Sequence, residues 1–308
     1  MSNAFFMNEQ PDGKAAMAAT VDTDRAQRGI QSIEVGGQLL RALVHHGRPM
    51  ALKDLAREAD MTAAKAHPYM VSFGRLGLIE QDRASGRYLL GPLALQLGLI
   101  SLQQADPVHI ATALIGQLAQ QIGHTVALAV WGARGATIVR TAESPSPVHV
   151  NMRHGTVFSL TNTASGRVFA AYLDPAVVRA QLEDERQRQK QRKGAAEPAP
   201  PAGMPPVQPL PSWSDFERQC QEVRDHGISR SDGEVIEGVS AMAAPVFDHT
   251  GAIVLAVTAI GPAGIFHTAW DGEIARALKA CAGTVSQRLG ASNSQGGVGA
   301  VVPSVSDR

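Results

Sequence analysis

The side chains best placed for chemistry in this 308-residue chain form a short small and basic run, Thr62-Ala-Ala-Lys-Ala-His-Pro-Tyr69. Thr62 has the type and position of a helix N-cap, whose hydroxyl accepts from first-turn amides. On the helix that follows, Lys65 can reach a guanine edge or a phosphate, and Ala63 and Ala66 are small enough to meet thymine methyls. Tyr69 is expected on the same outward face, with His67 and Met70 closer to the core. Arg75 ends this helix, and Arg83 and Arg87 flank a turn that can touch backbone phosphate or the minor groove. The expected DNA-contacting set is thus Thr62, Ala63, Lys65, Ala66, Tyr69, Arg75, Arg83 and Arg87. Pro68 conflicts with the pattern: in a helix interior it removes the amide bond to Ala64 and costs about 3 kcal/mol.

Three helices and a hairpin must position this set. Gln31 to His46 reads as a helix with Ile33, Leu39, Leu40, Leu43 and Val44 inward, stopped by Gly47-Arg48-Pro49. Leu52, Leu55, Ala56 and Ala59 fall on one face of a second helix, which breaks near Asp60 before the Thr62 helix. Helix, tight turn and second helix present an exposed helix to a major groove. Leu78 to Gln81, a turn at Asp82-Arg-Ala-Ser-Gly86 and Arg87 to Leu90 then form a wing. Between Arg25 and Arg87 ten Lys/Arg face six Asp/Glu, although the whole chain carries no formal net charge. That local excess favours contact with a polyanion.

Residues 1–28 lack a period and are expected to be a mobile arm, followed by a DNA-binding domain over 29–91. Residues 92–106 read as a Leu-rich linker helix with more apolar positions than one packed face needs, and a second subunit would cover them. A second domain is expected over 107–289. It has helices at His109–Ile122, Thr163–Leu173, Pro175–Gln187, Ser214–His226 and Ala269–Leu289. Its strands are expected at Thr125–Trp131, Ala136–Glu143, Val148–Met152, Ser240–Phe247 and Ala252–Ile260. Residues 187–211 read as a solvated, Pro-rich loop whose basic first part is the fraying end of the preceding helix, and 290–308 as a disordered tail. Hairpin-linked strands among helices make this an α+β fold with an antiparallel sheet.

Several function classes have no support. Cys220 and Cys281 are far apart and form no disulfide framework or zinc spacing, and His45, His46, His149 and His154 form no metal site either. Nucleophile elbow, Walker loop, dinucleotide fingerprint and zincin motif are all missing. Thr163-Ala-Ser-Gly166 resembles a nucleophile turn without a His/Asp partner. No apolar run reaches the ~20 residues that span a bilayer, and the first residues are too short a stretch for a signal peptide. A cytoplasmic protein without metal or cofactor is expected.

The order of motifs resembles the IclR family of bacterial transcriptional regulators over roughly Gly29 to Leu289. The resemblance rests on Leu55-Ala56, Leu76-Gly-Leu-Ile79, Ser85-Gly-Arg-Tyr-Leu-Leu-Gly-Pro92, Val139-Arg-Thr-Ala-Glu-Ser-Pro145, Thr163-Ala-Ser-Gly-Arg167, Gly238-Val239 and Ala243-Ala-Pro-Val-Phe-Asp248. It implies an N-terminal winged helix-turn-helix, a linker helix and a C-terminal GAF-like effector domain. It further implies a homodimer or homotetramer that binds an operator in double-stranded DNA and answers to a small organic effector. The implied pocket lies between the sheet and Asn162–Arg167, with Ser229–Ser240 as a lid. Its candidates are Thr161, Asn162, Thr163, Ser165, Ser231, Ala241, Thr258 and Ile260. Where family members that bind small oxo-acids carry a cysteine and two serines, this chain has Ala241, Thr258 and Ile260. That substitution favours a larger or more hydrophobic effector, such as an aromatic acid. Arg140 and Glu143 are expected to form a structural salt bridge, with each other across the strand or with a neighbouring segment, and not to contact the ligand. The alternative is a ligand-binding adaptor or enzyme-like domain in which Pro68 has impaired DNA binding.

Overall fold

The computed structural model describes residues 29–144, 155–194 and 210–291. They divide into two compact units, one up to Gln103 and one from Gln104 onward.

In the first unit α1 (Gln31–His46), α2 (Leu52–Glu58) and α3 (Ala63–Leu76) enclose a small core of Leu39, Leu43, Leu55, Ala66, Met70 and Ile79. Positions three and four apart bring these residues onto facing stripes. Ile33 and Val44, expected inward, are exposed, because the buried face of α1 runs through Gly36, Leu39, Ala42 and Leu43. Asp60, in the turn between α2 and α3, has a φ of 51°. That left-handed conformation lets the chain reverse tightly, and aspartate tolerates it better than most side chains. β1 (Ile79–Gln81) and β2 (Tyr88–Leu90) pair antiparallel as the wing. Gly91 closes the wing: its amide donates to the Leu78 carbonyl at 2.9 Å, and a Cβ there would stand 2.4 Å from the Gly77 carbonyl oxygen. α4 (Pro92–Gln104) buries no residue and exposes Leu95, Leu97, Leu99, Ile100 and Leu102.

The second unit is a five-stranded antiparallel sheet in the order β4-β3-β7-β6-β5. Its strands are β3 (Thr125–Gly132), β4 (Gly135–Ala142), β5 (Ser229–Asp232), β6 (Val239–Phe247) and β7 (Ile253–Pro262). Strand alternation splits the core. Val126, Leu128, Met242, Ala244, Leu255 and Val257 pack against α5 (Pro107–Ile122) and α9 (Glu273–Arg288). Ala129, Ala243 and Ala256 face α6 (Ala164–Tyr172) and α8 (Trp213–His226), together with α7 (Pro175–Gly194). The segment 155–158 lies along the outer edge of β4, where the Ile138 amide donates to Thr156 at 3.0 Å and the Phe158 amide to Ala136 at 2.8 Å.

Two expectations change. Ser229 to Asp232 is the edge strand of the sheet and not part of a lid, a segment too short and too polar to show a strand pattern. The helix expected to end at Gln187 runs on to Gly194 through the basic run expected to be its fraying end. Val148–Met152, the Pro-rich tract over 195–209, the arm over 1–28 and the tail from 292 lie outside the described residues. Among the described residues no helix is long and apolar enough to cross a membrane.

Candidate functional site

In the first unit the Thr62 hydroxyl accepts from the Lys65 amide at 3.2 Å and starts α3 as its type suggested. Thr62, Ala63, Lys65 and Arg75 are exposed. Ala66 is not: it is fully buried, because it lies four residues before Met70 on the core stripe and cannot reach a base. His67 takes the opposite correction, for it is exposed. Tyr69 is half-buried and its ring packs beside Gly36 of α1, so its main role is to seat α3. Pro68 sits inside an unbroken α3, and the Ser72 hydroxyl donates to its carbonyl at 3.0 Å.

The wing is held by its own turn. Asp82 accepts from the amides of Ala84 at 3.3 Å and Ser85 at 3.0 Å and from the Ser85 hydroxyl. The Ser85 hydroxyl bond and these amide bonds hold its carboxyl below the usual carboxylate range. Gly86 follows at φ 67°, and Gln81 donates to its carbonyl at 2.9 Å. Arg83 is exposed and borders a concavity of about 620 Å³ between α3 and the wing, shared with His67, Val71 and Gln81. Arg87 folds back instead, donating to the Pro49 carbonyl at 3.4 Å.

In the second unit the register gathers the expected pocket residues. Ile260 pairs with both Thr125 and Ala241, and Ala241 pairs with Ser231, which makes one row across four strands. The next row on the same face is Thr141, Ala127, Thr258, Ala243 and Ser229. The Ser165 and Thr258 hydroxyls share a hydrogen bond of 2.8 Å, which sets the first turn of α6 against this face. The Ser231 hydroxyl donates to the Asn162 carbonyl at 3.0 Å. Thr163 is engaged structurally, since its hydroxyl donates to the Ser159 carbonyl at 2.7 Å and accepts from the Gly166 amide at 2.9 Å. The Thr161 carbonyl accepts from Arg167 Nε at 2.7 Å. Thr125, Ala127, Ala243 and Ser229 escape a sequence reading because only strand pairing puts them beside Thr258 and Ala241. The buried Thr125 hydroxyl and the Asn162 side-chain oxygen have no hydrogen-bond partner among the described residues, which is uncommon for buried polar atoms.

Arg167 ties this site together. Besides Thr161 it donates to the Arg230 carbonyl at 2.6 Å and pairs with Glu234. Among the described residues Arg140 and Glu143 do not pair with each other, and the Arg140 guanidinium donates to the adjacent Val139 carbonyl at 2.9 Å. Glu185 of α7 accepts from the Leu160 amide at 2.7 Å and from Ser159 at 3.1 Å, and burial nevertheless pushes its carboxyl pKa up. Among the described residues no His/Cys/Asp/Glu group could hold a metal.

Known proteins align with both units. Residues 32–83 match the family profile described as the IclR helix-turn-helix domain, and residues 100–199 and 210–287 match that of the bacterial transcriptional regulator IclR C-terminal domain. The glycerol operon regulatory protein of Streptomyces coelicolor is 30% identical over 269 residues, 86% of this chain and 98% of its own length. The HTH-type transcriptional regulator KdgR of Escherichia coli is 23% identical over 273 residues, 88% of this chain and 97% of its own. The crystal structure of Pseudomonas aeruginosa HmgR superposes with a TM-score of 0.72 at 30% identity, covering 86% of this chain and 100% of that one.

Proposed function

This chain belongs to the IclR family of bacterial transcriptional regulators, and we propose that its operator affinity is set by a small hydrophobic or aromatic acid held on the α6 face of the sheet. DNA-binding regulation is the activity, and the chain is not an enzyme.

At the DNA, the exposed residues of the first turns of α3, Thr62, Ala63, Lys65 and His67, are the reading set, with Arg75 and Arg83 on phosphates. Lys65 has the reach for a guanine edge, and His67 can donate or accept at a base edge, which gives the helix two polar readers.

For the effector, the carrying observation is the set of small residues, Ala241 in one row and Ala127 and Ala243 in the next, on the α6 face of the sheet. Small side chains leave room for an apolar ring. The α6 N-terminus favours a carboxylate there, since its first-turn amides and helix dipole attract anions. The unpartnered Thr125 hydroxyl can orient the ligand. Arg167 cannot serve as its cation, being engaged by Glu234 and two carbonyls. A second copy of the chain, covering the exposed leucines of α4, completes the functional assembly.

The test is calorimetric titration of the purified protein with a panel of aromatic acids and small hydrophilic oxo-acids, followed by operator binding with and without the tightest ligand. Aromatic acids that bind and change operator affinity support the reading. A panel in which only hydrophilic oxo-acids bind overturns it.

A further inference from the structure

A second cavity, of about 550 Å³, lies around the outer edge of the sheet at β5, at the Ser229 end of the row that holds Thr258. Gln219, Glu222 and Val223 of α8 form one wall, Ser229, Arg230 and Asp232 the floor, and Thr268 and Trp270 the opposite wall. Its lining is mainly polar, and two of its buried polar atoms, Gln219 Oε1 and Ser229 Oγ, have no hydrogen-bond partner. Ser229 is only 1% exposed. A buried hydroxyl without a partner is destabilising and points to a group that supplies the missing bond.

The charges decide what that group is. Both arginines of the lining are already engaged. Arg167 pairs with Glu234 and donates to the Thr161 and Arg230 carbonyls. Arg230 lies over the Trp270 ring, 4.1 Å from its centroid, and donates to the Thr268 carbonyl at 3.3 Å. His226 stacks on Trp270 at 4.2 Å, and that stack fixes the indole as a wall. Among the carboxylates, Asp232 accepts only from the Ser240 hydroxyl, at 2.5 Å, and Glu222 makes no ion pair among the described residues. The unmet needs are therefore a carbonyl oxygen, a hydroxyl and carboxylate charge.

We propose that this edge cavity binds a small organic ammonium ion, with the nitrogen between Gln219 Oε1 and Ser229 Oγ and its charge balanced by Glu222 and Asp232. A primary ammonium has three N–H donors and no acceptor, which matches these partners and repels nothing unpaired. Val223 and the Trp270 edge accommodate the alkyl portion. The site adjoins the α6-face pocket through Ser229 and Arg167, and its proposed ligand does not depend on the identity of the effector there.

The experiment uses the full-length chain and titrates n-butylammonium and 1,4-diaminobutane by calorimetry and by tryptophan fluorescence, with butyrate and glycerol as the anionic and neutral probes. One saturable ammonium site per chain is expected, with a change in Trp270 emission that disappears in Trp270→Phe. Glu222→Gln, at an exposed position that folding tolerates, should weaken binding about tenfold, as should Gln219→Leu, because each removes a bond to a charged group. The assignment is overturned if no ammonium saturates the protein below about 10 mM, if Glu222→Gln and Gln219→Leu bind as well as the parent, or if butyrate or glycerol binds in preference.

Discussion

Replacing Pro68 by alanine should stabilise α3 by about 2 kcal/mol. The proline occupies the sixth position of a helix that runs unbroken from Ala63 to Leu76, so the Ala64 carbonyl lacks its partner amide. A proline in a helix interior is worse than alanine by about 3 kcal/mol. Two factors reduce the gain. Ala64 is exposed, so water already serves its carbonyl, and alanine frees the unfolded chain by about 0.4–1 kcal/mol of conformational entropy. Pro68 is itself exposed and its loss opens no cavity. Hydrogen exchange on the full-length protein reads the change: amides in the second half of α3, such as those of Val71 and Ser72, should exchange about 30-fold more slowly. Unchanged or faster exchange would refute the claim that Pro68 strains this helix, and would mean that its fixed φ preorganises α3.

Lys65→Ala should lower operator affinity and reduce the salt slope by about one, whereas His67→Ala should relax discrimination between operator variants; uniform losses for both in competition assays would disprove His67 as a reader. Gly166→Ala should destabilise the second unit by more than about 3 kcal/mol, measured by urea melts, because a Cβ there meets the Ser159 carbonyl oxygen at 2.2 Å and the Thr163 hydroxyl at 2.8 Å. His124, packed on Phe266 at a ring distance of 4.8 Å, has its pKa lowered by burial. The folded state therefore resists its protonation, so its contribution to stability is complete above pH 6.5 and falls as pH drops below that value toward the folded pKa. Melts at pH 7.5 and 5 should show that loss, and His124→Gln should flatten it. Burial pushes the Cys220 thiol up to about 12, so alkylation should be governed by unfolding, and fast labelling of the native protein at neutral pH would contradict its placement.

How far the sequence could be read depended on whether period or pairing determined the outcome. The three helices and the wing were legible because caps, breakers and a 3.6-residue period all agree there, as at Thr62, Gly77 and Gly86. The direction of single side chains was less so: Ala66 and His67 exchanged roles because one position, about 100° of helix, separates the core stripe from the reading side. In the second unit Thr258 and Ala241 were recognisable by resemblance, but Thr125, Ala127 and Ser229 are not neighbours in sequence. They become so only through the order β4-β3-β7-β6-β5, a long-range pairing that no local pattern encodes. β5 is four residues of mixed polarity, too short for alternation to rise above chance. The role of Arg167 was hidden for a related reason, since its partners are main-chain carbonyls 6 and 63 residues away.

Open sheets have two rims, and bare rims invite association with other sheets. Here neither is bare. On one side the segment 155–158 lies along β4, and on the other β5 is short and its Arg230 carbonyl is occupied by a guanidinium. A charged side chain bonded to a rim carbonyl blocks a foreign strand both by taking the acceptor and by setting a charge where that strand would lie. The second unit should therefore tolerate high concentration and repeated refolding without fibrillar by-products. In Arg167→Met that protection is removed at a single position, and self-association through strand pairing should appear.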